Sequence, residues 1–597
     1  MLCYYFLMSN QEIARLLRHV AASYTILDEK KYRFQIIAYR KAADSIETET
    51  SEVKDLITEN KLNTLPGVGM SIKSYLEELF KTGRVKHFDA ITKTIPKSMF
   101  PLLEIPKFGP KTAFKLVKKF SLKNPKTVVD DIENLAKNKK IESIAGFGKK
   151  SQEEALQAII EFKKGKTKTA RMVLPYALEI ADKIVSYLKQ SKEIIEAVPL
   201  GSLRRMMPTV GDIDIAVATN NPKAAINHFV AYPYKERILE QGPSTASVLT
   251  SGGKQIDLMT QPPNGFGALL QHFTGSKNHN VHLREYALKI GLSLSERGIK
   301  PISKNSKKTK QYSSEQDFYK ALRMDWIPPE IREDTGEIDL AISHNLPKLV
   351  ELSDIKGDLH IHSNYPIESS HDFGEDSMRD MLSSAENLGY EYLGFSEHNP
   401  SISKHTRQEL YDIIGRRNHY IEQIKSSIKN VRVIKLLEVD ILVDGRLAID
   451  NKSLELLDGA IVSIHSVFGA SRKDMTERII KGLSHPKAKI LAHPTGRMLN
   501  QRVGYEVDFE QIFDFCKQNN KALEINGWPN RLDPPDTIIK QGVENGIKFI
   551  INTDSHSLQQ MNLMRYGVAM ARRGFAKKSD ILNTLSYNEF MKWLEGR

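Results

Sequence analysis

Gly211-Asp212-Ile213-Asp214-Ile215-Ala216-Val217-Ala218 begins at a turn residue and runs into an apolar strand. Residues i and i+2 of a strand face the same way, so Asp212 and Asp214 converge. A third acid, Asp257, stands in a similar strand, Gln255-Ile256-Asp257-Leu258-Met259-Thr260. Three carboxylates at one point repel each other unless a hard cation neutralises them, and Mg²⁺ suits such a set because it also takes phosphate oxygens and water. Two such ions can activate a sugar 3′-hydroxyl and stabilise leaving pyrophosphate. Just upstream, Gly201-Ser202-Leu203-Arg204-Arg205 offers small residues for close backbone approach to phosphate, and arginine for charge. A pair of aspartates alone is ordinarily solvated surface. The ordered set of three motifs is a phosphoryl-transfer signature, and it reads as an α/β core.

N-terminal to this core the texture is helical. Gln11–Leu27 and Tyr32–Glu47 carry apolar residues at helical spacing. Leu65-Pro66-Gly67-Val68-Gly69, Ile105-Pro106-Lys107-Phe108-Gly109 and Ile144-Ala145-Gly146-Phe147-Gly148 recur about 40 residues apart, each ahead of an amphipathic segment. This is the pattern of a helix-hairpin-helix. Its glycine turn presents backbone N–H groups at a helix N-terminus, which binds phosphate without reading bases. Gly67, Gly69, Lys107, Gly109, Gly146 and Gly148 are therefore the expected DNA contacts. Charge agrees: the net +13 splits into +15 over residues 1–350 and −2 over 351–597, as expected of a first half that meets a polyanion.

The order of motifs resembles the nucleotidyltransferases and, within them, the family X DNA polymerases. The resemblance runs from about residue 8 to 340 and extends to Phe273-Thr274-Gly275-Ser276-Lys277, Asn280 and Arg284. It implies Mg²⁺ or Mn²⁺ on Asp212, Asp214 and Asp257, with Asp257 also the base for the primer hydroxyl. It further implies phosphate binding by Gly201, Ser202 and Arg205. Phe273 and Gly275 would lie against the incoming nucleotide's sugar, and Asn280 and Arg284 would contact the minor groove and the template. Three residues depart from the family pattern: Met206 replaces a glycine, His272 a tyrosine and Met259 an arginine. The resemblance also tempts one to add a Schiff-base lyase on the helix after the first glycine turn. The nucleophile position there is Tyr75, a supporting lysine is Ser71, and Lys73 points about 200° away on a helix. Lyase activity is expected to be absent or weak. The family start aligns near Met8, which makes residues 1–7 an expected mis-assigned extension.

From residue 357 short apolar strands alternate with helical patterns, which favours a parallel βα barrel. Histidines concentrate here, ten against seven in residues 1–350. His360 and His362 face one way on a strand. His398, Glu438, His465, His493, Asp554 and His556 sit at the ends of apolar strands, where such barrels build active sites. His405, His419 and His485 read as ordinary polar residues. This half resembles the PHP (polymerase and histidinol phosphatase) domain, in the version fused to bacterial and archaeal family X polymerases. His493–Arg497, Glu524–Asp533 and Met564–Gly574 carry the detail of the match. The resemblance implies up to three metals on those eight residues plus a ninth. Asp372 is the choice for the ninth, with Glu368 as alternative. The ligand types admit Mn²⁺ or Zn²⁺. Glu397 replaces the common aspartate before His398.

The expected architecture is multidomain: a helical lyase-like domain with helix-hairpin-helix over 8–90, a helix-hairpin-helix region over 91–170, a nucleotidyltransferase palm with nucleotide-selection subdomain over 171–340, a linker over 341–356 and a PHP barrel over 357–597. The expected function is DNA repair: gap filling on gapped or primer-template DNA with deoxynucleotides, as in base excision repair, joined to a PHP 3′→5′ exonuclease that also processes abasic sites or blocked 3′ ends. The alternatives are an active polymerase with a structural PHP module, or a PHP phosphoesterase tethered to DNA by a weak or inactive polymerase half. The two cysteines, Cys3 and Cys516, are too few for a disulfide framework, and no apolar run reaches bilayer length. A cytoplasmic monomer without membrane partner is expected.

Overall fold

The computed structural model describes the chain except residues 1–7, 9, 48–52, 59–61, 63, 64, 66, 106, 107, 143, 145–147, 164–170, 251–253, 303–307, 426–429, 501 and 597. Two compact units emerge, Met1–Ala170 and Arg171–Arg597.

The first unit is helical, because its sequence repeats apolar residues at the α-period. Helices Asn10–Asp28 and Arg33–Glu47 pack on each other. They bury Ile13, Leu17, Val20, Tyr24 and Tyr39 with Phe88 in one core, and Met99, Leu102, Leu116, Ile132 and Ile159 form a second. The glycine repeat has a repeated geometry. Helices Met70–Thr82, Pro110–Lys119 and Lys149–Lys163 each begin just after a glycine. The carbonyls of Gly69, Gly109 and Gly148 accept from the fourth residue on, at 2.9, 2.9 and 3.1 Å. Gly67 turns the chain with φ +85°. Lys107 and Gly146 lie outside the described residues.

The second unit holds a five-stranded mixed sheet in the order Glu196–Pro199, Ile213–Ala218, Gln255–Gln261, Thr245–Thr250, Lys235–Gln241. Strands 213–218 and 255–261 are parallel neighbours with Asp214 opposite Asp257. Helix Phe266–Thr274 closes over this sheet, burying Phe266 and Leu269 against Ala216. Helix Lys277–Lys289, the hairpin 292–301 and helices Glu315–Ala321 and Glu337–Ile342 then gather around Phe318, Tyr319 and Ile338.

The C-terminal part is a ring of short parallel strands. One sheet runs through Gly357–Asp358, Tyr392–Phe395 and Arg432–Lys435. The other runs through Glu438–Asp440, Ala460–Ser463, Ala488–Leu491, Ala522–Asn526 and Lys548–Asn552. Parallel bridges His398–Glu438 and Ile361–Ser555 join the two sheets and close the ring as a distorted barrel. Its strands are apolar on both faces because they are buried on both. The stretch read as a linker is itself packed: Leu349 and Val350 are buried, and Val350 N–H donates to the Ala576 carbonyl at 3.0 Å. Among the described residues no helix is long and apolar enough to cross a membrane.

Candidate active sites

The register that sets Asp214 beside Asp257 also leaves Asp212 at the mouth of the strand, exposed, with Asp214 half-buried below it. Burial first, then repulsion from Asp212 and Asp257, pushes the Asp214 carboxyl up to about 7. Carboxylates crowded in this way suit a hard cation, and the all-oxygen donor set fits Mg²⁺ or Mn²⁺. Asp257 is oriented from behind by the Ser247 hydroxyl and by Gln255, whose amide donates to it at 3.0 Å. Gly201 has φ +58°, and a Cβ there would come within 2.7 Å of Asp214 Oδ2, so only glycine lets the 201–205 turn approach the carboxylates.

Ser202 and Arg205 follow on the short helix Gly201–Arg204 and its cap. Arg205 lies against the Phe273–Gly275 turn: its Nη1 donates to the Thr274 carbonyl at 2.5 Å and its Nε to Glu333 at 2.9 Å. Arg204 Nη1 donates to Thr274 Oγ1, and Nη1 and Nη2 form a bidentate hydrogen-bonded ion pair with Glu315. Burial raises the Glu315 carboxyl, but Arg332 and Arg204 overcome this and hold it at about 2. Gly275 ends the helix with φ +69°. Asn280 is tied to His272 and Gln271, and the exposed Arg284 reaches His272 Nδ1 at 3.3 Å.

At the C-terminal ends of the barrel strands six of the eight expected ligands, His398, Glu438, His465, His493, Asp554 and His556, line one cavity of about 370 Å³, and His360 and His362 lie buried against Glu438 and Asp554. Glu438 is its centre. Its carboxylate lies 3.2 Å from His360 Nε2, 3.0 Å from His398 Nδ1, 3.2 Å from His465 Nε2 and 3.0 Å from His493 Nε2. Asp554 approaches His360 and His362 at 3.4 and 3.3 Å. Asp372, at the exposed rim, faces His398 at 3.2 Å and His556 at 3.4 Å, whereas Glu368 turns to His405 at 3.4 Å. Ligand atoms of His362, His398 and His556 fall within 4.8 Å of one another. So do those of His360, His362 and Asp554, and those of Glu438, His465 and His493.

Buried His nitrogens that face their neighbours without a well-aligned hydrogen bond mark where cations fit: both of His362, Nε2 of His360 and His556, and Nδ1 of His398 and His493; His405 Nε2, outside the cavity, is buried in the same way. Burial and the adjacent His398 push His362 down to about 3, leaving it a neutral imidazole with a free lone pair. For His465, burial opposes protonation, but Glu438 and Asp440 raise it to about 10. A metal in place of that proton would satisfy the same carboxylates.

Comparison with known proteins finds the helix-hairpin-helix domain over residues 8–85 and the DNA polymerase beta thumb over residues 269–333. The chain is 31% identical to "DNA polymerase/3'-5' exonuclease PolX" of Bacillus subtilis (strain 168), over 98% of this chain and all of that protein. It belongs to the PolX branch of the family X DNA polymerases. Two partial likenesses accompany it. One is 23% identity to DNA polymerase lambda of Rattus norvegicus, over 54% of this chain and 56% of that one. The other is 23% identity to a probable phosphatase of Aliivibrio fischeri (strain ATCC 700601 / ES114), over 35% of this chain and 84% of that one.

The structure adds to this PolX chain a set of residues that sequence reasoning missed. Glu524 is fully buried and accepts from His360 Nδ1 at 2.7 Å, from the His493 backbone at 2.7 Å and from Asn552 at 2.9 Å. Asp440 accepts from His465 Nδ1 at 2.7 Å and from His371 Nε2 at 2.9 Å. His371 thereby enters the cavity beside His398 and His465. Carboxylates placed on the far nitrogen of a ligating histidine fix its ring and raise its basicity. Glu397 is held by Ser363 and by a buried ion pair with Arg417. Its longer side chain is taken up by the Arg417 guanidinium and does not line the ligand cavity. Glu524 stood in a motif already singled out, and a carboxylate amid an apolar strand was the available signal. Nothing local pointed to His371.

Proposed function

We infer that this polymerase extends DNA 3′ ends at short gaps with deoxynucleotides, and that its PHP half hydrolyses phosphodiesters from the 3′ end. One observation carries the reading: two separate clusters, Asp214 and Asp257 in register on one sheet with Asp212 at the strand's mouth, and nine His/Asp/Glu side chains gathered at one end of the barrel. Asp212, Asp214 and Asp257 would hold Mg²⁺ or Mn²⁺, and His360, His362, Asp372, His398, Glu438, His465, His493, Asp554 and His556 would hold up to three Mn²⁺ or Zn²⁺. When bound, these ions supply Lewis-acid activation of the attacking oxygen and neutralise charge on the phosphoryl group.

The chain's own residues do the rest. Asp257 accepts the primer hydroxyl proton, helped by the Ser247 and Gln255 contacts that fix its orientation. Ser202 and Arg205 receive the triphosphate. Phe273 and Gly275 bound the sugar, and Asn280 and Arg284 face the nascent pair and template. Gly67, Gly69, Gly109 and Gly148, with Lys107 and Gly146, grip the DNA backbone. The enzyme works as a cytoplasmic monomer in gap repair.

The test is one labelled gapped duplex incubated with Mn²⁺, with and without deoxynucleotides. Asp212→Ala with Asp214→Ala should abolish extension and leave 3′ degradation. His360→Ala with His362→Ala should do the reverse. A folded first variant lacking both activities would overturn the assignment of two independent sites.

A further inference from the structure

The motif Met564–Gly574 was singled out in the sequence but none of its residues reaches the barrel cavity. Its helix, Met564–Arg573, instead carries two arginines toward the polymerase core. Arg572 Nε donates to Glu330 at 2.8 Å and its Nη1 to the Val350 carbonyl at 3.1 Å. Three residues on, Phe575 is buried in the apolar cluster of Phe318, Tyr319 and Ile338.

Arg573 goes furthest. Its side chain is 2% exposed. Nη1 donates to the main-chain carbonyl of Arg205 at 2.7 Å and to Glu333 Oε1 at 3.1 Å, while Nη2 is anchored on Asp536 of its own domain. The same Glu333 oxygen receives Arg205 Nε at 2.9 Å. Arg205 Nη1 is meanwhile held by Thr274 O, and it would lie only 3.1 Å from a Cβ placed on Gly275. One carboxylate oxygen is thus shared by an arginine of the nucleotide site and an arginine of the nuclease domain.

We propose that Arg573 is a positioning residue for the nucleotide site: by holding Glu333 and the Arg205 carbonyl, it aims the Arg205 guanidinium along the Thr274–Gly275 turn and makes nucleotide binding in one domain depend on the other. The inference rests on the reading of Arg205 as a triphosphate contact. A buried charge-assisted network fixes direction because each member loses a partner if another turns away. Without Arg573, Glu333 has Arg205 as its remaining partner in this network, and the Arg205 backbone loses its clamp.

The test uses the full chain in single-nucleotide gap filling, with kcat and KM for the deoxynucleotide measured separately. Degradation of 3′ ends and bound-metal content are read on the same preparations. Arg573→Gln should raise KM roughly tenfold, the equivalent of one charge-assisted hydrogen bond, with kcat within about threefold. Nuclease rate and metal content should stay at the wild-type level, and Arg573→Lys should recover part of the affinity. Glu333→Gln approaches the same bridge from a more exposed side chain and keeps the test decisive if Arg573→Gln does not fold. It should raise KM likewise, and the double variant should be no worse than the weaker-binding single one. Unchanged KM in Glu333→Gln, multiplying effects in the double variant, or nuclease and metal content falling in step with KM would each overturn the proposal. A wild-type chain that incorporates no deoxynucleotide would remove the polymerase reading and this inference with it. Normal incorporation with an unmoved KM would remove only this inference.

Discussion

Glu524 touches no cavity space, yet its two oxygens set the His360 ring and the His493 backbone at once. Glu524→Gln keeps the volume but replaces an acceptor by a donor facing His360. Metal affinity should drop about 10–100-fold, the usual cost of losing such a partner. Chelator competition on the purified protein measures it, and gap filling should be unaffected. Tyr75 makes the opposite point, a position where lyase chemistry is expected to be absent or weak. Its ring stacks on His87 at 4.6 Å, and the Tyr24 hydroxyl bonds the same imidazole at 2.8 Å. Lys73 is drawn toward Glu77 at 3.9 Å along the helix. An aromatic cluster with no amine at the nucleophile position cannot form an imine. Borohydride trapping on incised abasic DNA should therefore yield little covalent adduct, and efficient capture lost in Lys73→Ala would refute this.

Elements separate two jobs that glycine does in one turn. Gly67 sits at φ +85°, where a side chain is strained, while Gly69 has φ −78° and open space around a would-be Cβ. Gly67→Ala should cost about 1 kcal/mol of stability and lower the thermal midpoint. Gly69→Ala should leave that midpoint in place but set a methyl group before the uncapped helix N-terminus. Affinity for gapped DNA should then fall about fivefold, as for one lost hydrogen bond, at every DNA sequence alike. A Gly69→Ala protein that unfolds early, or binds DNA as before, would contradict the division of roles.

At the scale of the molecule, the apparent linker and the arginine helix bind polymerase core and barrel into one folding unit. One hydrophobic cluster holds Ile213 and Leu258 of the palm together with barrel residues, and Phe575 completes the thumb core. A chain cut within 164–170 should give two fragments that fold separately, with the steep salt dependence of DNA binding in the one carrying the glycine turns. A fragment of residues 171–340 alone should instead aggregate or melt well below 171–597, because it exposes the surfaces that Phe575, Val350 and Arg573 cover. Circular dichroism melting of the three fragments distinguishes these outcomes.

What the amino-acid order determined by itself was the chemistry of near neighbours. Asp212 with Asp214 and His360 with His362 stand two apart on extended chain, so each pair is expected to converge from local geometry, although the strands themselves begin at Ile213 and end at Asp358. The glycine turns announced helix entries for an equally local reason. Relationships across the chain needed the folded molecule. Asp372 rather than Glu368 faces the histidines because of how the longer 365–376 loop returns across the barrel mouth. Glu524 meets His360 from 164 positions away, and Arg573 meets Arg205 from 368. No periodicity encodes such pairs. They follow from the closure of a strand ring and the docking of a helix, where buried charges must find partners and only packing decides which are within reach.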